Sequence, residues 1–134
     1  MPYTKGFSMQ IRVYYEDTDV GGVVYHSNYL NFCERARSDA FFKKGLTPIL
    51  EDGHFVARKI IADYYKSAKL GDVLGVKTEL LKMKAASFIL KQTVYKEDAK
   101  LFELEITLAY IAFDGHPQKI DEDVKGLILS LFNI

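Results

Sequence analysis

The sequence predicts an α+β chain in which one long antiparallel sheet wraps around a central helix. Within 101–113, Phe102, Leu104, Ile106, Leu108, Tyr110 and Ala112 share one face at period two, the alternation of a strand with one buried side. The stretches 54–68, 72–84 and 87–96 also read as long strands, punctuated by turns at Gly71-Asp72 and Glu97-Asp98. In 28–44, by contrast, Tyr29, Phe32, Cys33, Ala36, Ala40 and Phe41 recur at three- and four-residue spacing, the stripe of a helix buried on one side. A sheet with one apolar face needs a cover, and this helix supplies it.

In chain order, 9–15 reads as the first strand. Ser27 or Asn28 is the expected N-cap of the central helix, its side chain accepting from first-turn amides. Gly45 ends that helix. After the four strands, 122–132 forms a short amphipathic helix with Val124, Leu127, Ile128 and Leu131 on one face. No repeat or linker interrupts the plan, so 1–134 is expected to be one domain. With 49% hydrophobic and 27% charged residues the composition is globular rather than disordered. Eighteen basic residues balance 18 acidic ones, so no net field draws nucleic acid. A lone cysteine, Cys33, has no disulfide partner and fits a reducing compartment. The stretch Met1-Pro2-Tyr3-Thr4-Lys5 lacks the apolar run of a secretory signal, so none is expected, and no run nears the roughly 20 apolar residues of a membrane span. A cytoplasmic protein without integral membrane association is expected.

The chemistry concentrates in 12–29. A strand runs into an acidic turn, Glu16-Asp17-Thr18-Asp19, then Gly21-Gly22, a short apolar run and the helix start. Glycines let the backbone turn tightly and approach a ligand. The first-turn amides of a helix carry partial positive charge and suit a developing oxyanion. A loop folding back would set the Asp19 carboxylate and those amides on opposite sides of one carbonyl carbon. That pairing suits acyl transfer or hydrolysis, with the carboxylate as general base or nucleophile.

The stretch from Tyr15 to Leu30, with Glu34-Arg35-Ala36-Arg37 after it, resembles the signature of the hotdog thioesterases. The match is to the 4-hydroxybenzoyl-CoA thioesterase group, especially the acyl-CoA thioesterases encoded with the bacterial Tol-Pal envelope system. The likeness extends to Phe113-Asp114-Gly115-His116-Pro117 and the short helix after it. It implies a hotdog fold, a sheet curved around the helix of 28–44, in a homo-oligomer (a dimer of dimers, hence a homotetramer) with each active site shared between two chains. Asp19 takes the place of the catalytic aspartate, and the amide of His26 or Tyr25 that of the carbonyl-polarising group. The His26 side chain matches a histidine implicated in the Tol-Pal branch. Gly22, Val23 and Asn28 fall at substrate-binding positions. Short-chain acyl-CoA or acyl carrier protein thioesters are the implied substrates. A second branch carries its carboxylate on the central helix, where Glu34 is the corresponding position.

Each residue also has a plainer role. Asp19 can simply close an Asx turn before the glycines. Glu16 and Asp17 are expected to set turn geometry or solvation, and His26 can be a hydrogen-bonded histidine at a helix start. Glu34, Arg35 and Arg37 read as structural ion pairs at an interface, and Cys33 as core. Lys82, Lys84 and Lys91 are candidates for CoA phosphates, although a surface strand carries lysines anyway. No metal-ligand spacing occurs, and a carboxylate with water suffices for a thioester, so neither metal nor organic cofactor is expected. Hydrolysis competes with two other functions: a hotdog dehydratase or hydratase, and a non-catalytic protein that binds acyl thioesters or docks a partner.

Overall fold

The computed structural model describes residues 6–132. Its elements are β1 (Phe7–Arg12), a 3₁₀ turn (Tyr15–Asp17), α1 (Asn28–Phe42), β2 (His54–Tyr64), β3 (Val73–Met83), β4 (Ser87–Lys96), β5 (Ala99–Ile111) and α2 (Glu122–Phe132). The five strands form one sheet in the order β1-β3-β4-β5-β2, antiparallel throughout.

α1 lies against the inner face of that sheet. Its expected stripe, Tyr29, Phe32, Cys33, Ala36, Ala40 and Phe41, is buried in full. From the sheet, Leu74, Val76, Leu90, Val94, Phe102, Leu104 and Ile106 meet it, all at most 1% exposed. Burying one such side chain contributes about 1.5–3 kcal/mol. α2 adds Ile128, Leu131 and Phe132 to the same core.

The strand faces change parity where the chain inserts a residue. In β2, Ala57 pairs with Leu108 but Lys59 with Thr107, so Arg58 is a bulge. Phe55 and Ala57 before it, and Ile60, Ala62 and Tyr64 after it, therefore stand opposite the inward residues of β5. A bulge at Leu81 does the same in β3.

Boundaries differ from expectation where side chains capture the backbone. The first strand stops at Arg12, because the Tyr14 N–H turns aside to an Asp17 carboxylate oxygen at 2.8 Å and the chain enters the 3₁₀ turn. β2 stops at Tyr64, because Tyr65 and Lys66 both donate to the Leu101 carbonyl and the chain bends away. α1 ends at Phe42, followed by Gly45 at φ +73°, with Gly45 N–H on the Phe42 carbonyl and Leu46 N–H on Phe41. The N-cap expectation fails. Ser27 has helical backbone angles and makes no capping bond, and the Asn28 side chain is taken by Asp17 and Asn31. No described helix is long and apolar enough to cross a membrane.

Candidate active site

The loop between β1 and α1 is built around one buried carboxylate. Asp17 is 3% exposed. One of its oxygens accepts from Tyr14 N–H and the other from the Asn28 side-chain amide, each at 2.8 Å. Its backbone carbonyl accepts from Tyr25 N–H at 3.0 Å. Asp17 thus ties the acidic turn to the start of α1, the geometric role expected for it.

Beyond that clamp the chain makes a small hairpin. Asp19 N–H donates to the Val23 carbonyl and Gly22 N–H to the Asp19 carbonyl, with Gly22 at φ +78°. Val24 N–H then docks on the Ala68 carbonyl, and Ala68 N–H donates to the Tyr29 hydroxyl. The Asp19 side chain is exposed, and Oδ1 accepts from Gly21 N–H at 2.8 Å, so the Asx turn is present. Its Oδ2 has no hydrogen bond among the described residues. A Cβ on residue 21 would press to 3.2 Å on Asp19 Oδ1, so glycine there leaves the carboxylate its room.

Asp19 faces an open cleft of about 290 Å³, lined also by Val23, His26, Tyr64, Lys66 and Ser67. The Tyr64 hydroxyl donates to the His26 carbonyl at 2.8 Å, pinning the helix start to the end of β2. The His26 ring rests on Tyr25, centroids 4.5 Å apart. Burial, with the nearby Cys33 second, holds the Tyr64 phenol above its ordinary pKa, so it stays a donor. Three amides before the first complete turn of α1, on His26, Ser27 and Tyr29, take no partner among the described residues. The Tyr25 amide, by contrast, is occupied by Asp17. Asp19 with a free oxygen, and His26 and Tyr29 with unpaired amides, therefore line one cleft, the components of acyl hydrolysis.

The other sequence candidates scatter. Val23 lines the cleft, Gly22 shapes its hairpin, and Asn28 serves the Asp17 clamp. Lys82 and Lys84 lie elsewhere in the same chain. Tyr64 is level with Val76 across the ladders through Phe102 and Val94, and Lys82 lies further along β3, about 20 Å away at ~3.3 Å per residue. Lys91 stands in β4 between Glu79 and Glu105. Glu34 and Arg35 are exposed, Arg35 over the Phe32 ring at 6.0 Å, and Arg37 donates to Gln92. None of the three forms an ion pair among the described residues; the pairs expected of them lie across an interface between chains. Cys33 is core, and burial pushes its thiol up to about 12, with Arg37 acting weakly the other way. Among the described residues no group of three His, Cys, Asp or Glu side chains is placed to hold a metal ion. Sequence reasoning missed Tyr64, Lys66 and Ser67 as cleft residues; only the fold brings them to a loop some 40 residues earlier.

A five-stranded antiparallel sheet curled around one long helix, with an acidic hairpin feeding that helix, defines a hotdog protein of the thioesterase type. The sequence profile of the Thioesterase superfamily matches residues 21–103, and the chain belongs to that family. It is 51% identical over 87 residues to the acyl-CoA thioesterase YbgC of Helicobacter pylori, a match spanning 65% of each chain. The Haemophilus influenzae YbgC is 40% identical over 110 residues, 79% of this chain and 81% of that one. Among solved structures, a probable thioesterase from Bartonella henselae superposes with a TM-score of 0.82 at 28% identity, covering 87% of this chain and 100% of the other.

Proposed function

We propose that this protein hydrolyses acyl-CoA thioesters to free acid and thiol, with Asp19 as general base or nucleophile. The observation that carries it is the open cleft lined by Asp19, with its free oxygen, and by His26 and Tyr29, with their unpaired amides. The names of the YbgC relatives point to the same reaction. Because Tyr25 N–H is engaged by Asp17, the His26 N–H is the better candidate to polarise the thioester carbonyl. His26, its ring resting on Tyr25, lines the cleft, and the Tyr64 hydroxyl holds the His26 carbonyl. Gly22, Val23 and Asn28 shape the wall that meets the substrate. Lys66 is the cation nearest the cleft; Lys82 and Lys84 would serve only a ligand held between two copies. Acyl carrier protein is the second bearer of the thioester in this reading, and the cytoplasm the expected compartment.

The working unit we infer is a homo-oligomer joined at β2. This strand is an edge of the sheet, bridged on its outer side only at His54 by Ile49 among the described residues, and Val56, Ile60, Ile61 and Tyr64 along it are all more than 40% exposed. A long apolar edge strand invites pairing with another copy.

The test is thiol release from a panel of acyl-CoA esters, run beside Asp19→Asn. Loss of a general base lowers kcat by about 100-fold or more. Turnover unchanged in Asp19→Asn would overturn the mechanism. Binding of acyl-CoA without turnover of any ester would turn the function towards a thioester-binding protein.

A further inference from the structure

A second cavity, of about 180 Å³, opens near the far end of α1, between that helix, β2 and α2. Its walls are apolar, from Phe41, Phe55, Phe88 and Phe132, with Ser38 and Arg37 the polar groups along α1 and exposed Glu34 beside them. Arg37 is held in place rather than neutralised. One guanidinium nitrogen donates to Gln92 Oε1 at 2.9 Å, and Gln92 is itself fixed by its bonds to the Cys33 carbonyl and the Thr78 hydroxyl. No carboxylate lies within ion-pair distance among the described residues, Glu34 included. Among the described residues no fully buried polar side-chain atom lacks a partner, so the remaining guanidinium nitrogens are not fully buried, and Arg37 lines the cavity. Burial lowers the Arg37 pKa from its ordinary value, with Cys33 and Glu34 acting the other way.

We propose that this cavity is an acyl-end subsite, in which Arg37 receives the terminal carboxylate of a short acyl chain. The inference rests on the thioesterase function and β2 joint above. A volume this small suits an acyl tail and not a nucleotide. Within one chain the subsite is too far from Asp19. Arg37 is about 14 Å along the helix from Asn28 at ~1.5 Å per residue. An antiparallel joint between two β2 edges removes that obstacle. It brings the Phe55–Ala57 end of one strand beside the Tyr64 end of the other, with both helices on the same sheet face. Asp19 and the helix-start amides of one copy then face the Arg37 cavity of its partner. The apolar walls take the methylenes, and the guanidinium, already oriented by Gln92, offers a charge-assisted fork to the carboxylate. Glu34, exposed and solvated beside it, opposes this only weakly.

The test compares adipyl-CoA with hexanoyl-CoA, equal in length and differing in the terminal group. The expected result is a kcat/KM ratio favouring adipyl-CoA by about 10- to 100-fold, one charge-assisted bond. That ratio falls to near one in Arg37→Met. It falls also in Ser38→Leu, which fills the cavity and leaves the Arg37–Gln92 bond intact should Arg37→Met not fold. Mixing Asp19→Asn with Arg37→Met subunits restores adipyl-CoA turnover, because one site in each mixed pair then has both residues. A wild-type ratio near one, or no recovery on mixing subunits shown to exchange, overturns the shared subsite. Monomethyl adipate separates this from failure of the hydrolase proposal. If no ester is cleaved, an Arg37-dependent rise in Tm with that probe keeps the subsite while hydrolysis falls, and no rise removes both.

Discussion

Two aspartates two positions apart are assigned opposite duties, and replacing each with alanine separates them. Asp17 accepts two hydrogen bonds of 2.8 Å in a buried setting. A bond to a charged acceptor contributes about 1.5–3 kcal/mol, and the freed donors on exposed Tyr14 and half-buried Asn28 regain water in part, so Asp17→Ala should cost about 3 kcal/mol. For a chain of this size that is a fall in Tm of about 10 °C. Asp19 accepts one bond, from an exposed amide, and Asp19→Ala should cost no more than about 0.5 kcal/mol. Thermal unfolding by circular dichroism measures both, with thiol release recorded on the same samples at 25 °C. The expected pattern is a destabilised Asp17→Ala protein and a stable, inactive Asp19→Ala protein. An Asp17→Ala Tm within 2 °C of wild type would refute the clamp. An equal fall in both would show that the loop is one structural unit without a free carboxylate.

Asp72 is held below its ordinary carboxylate pKa of 3.8, first by the Lys69 N–H and then by the Lys96 ammonium. Its depressed folded pKa makes its stabilisation complete above the unfolded value and lost as pH falls through the folded one. The stability difference between wild type and Asp72→Asn should therefore shrink below about pH 4, as urea unfolding across pH 2–6 would measure. Cys33, buried and titrating near 12, should resist a disulfide reagent at pH 8 while folded and react in full in denaturant. Rapid labelling of the folded protein would disprove that packing. Glu97 holds φ +54° in the β4–β5 turn, where asparagine is less strained, so Glu97→Asn should raise Tm by a degree or two.

Period and spacing made most of this fold legible. The α1 stripe is written in six residues and β5 in strict alternation, while β4 and α2 begin and end where their patterns do. The β2 pattern was harder to read, because Arg58 is inserted between two inward runs and mixes apolar residues of both faces. The site divides the same way. Its acidic turn, glycines and helix start are contiguous, so local chemistry betrays them. Tyr64, Lys66 and Ser67 arrive at the cleft only because β2 ends beside the helix start, a tertiary fact with no local signature. The missing N-cap is instructive too. Asn28 has the right chemistry for capping, but a buried carboxylate eleven residues earlier is a stronger partner for its amide.

That exchange bears on the chemistry. A capping side chain at Ser27 would occupy the Tyr29 amide, one of the two unpaired amides whose residues line the cleft. By drawing the Asn28 side chain to itself, Asp17 holds the helix start without filling those amides, and by taking Tyr25 N–H it leaves His26 N–H next in line. The three carboxylates of the turn therefore divide by environment and not by type. Glu16 is solvated and Asp17 is spent on structure. Only Asp19 stands at the cleft with an oxygen to spare. An uncapped helix beside a free carboxylate is a local sacrifice of stability, and such sacrifices concentrate where a protein binds or reacts.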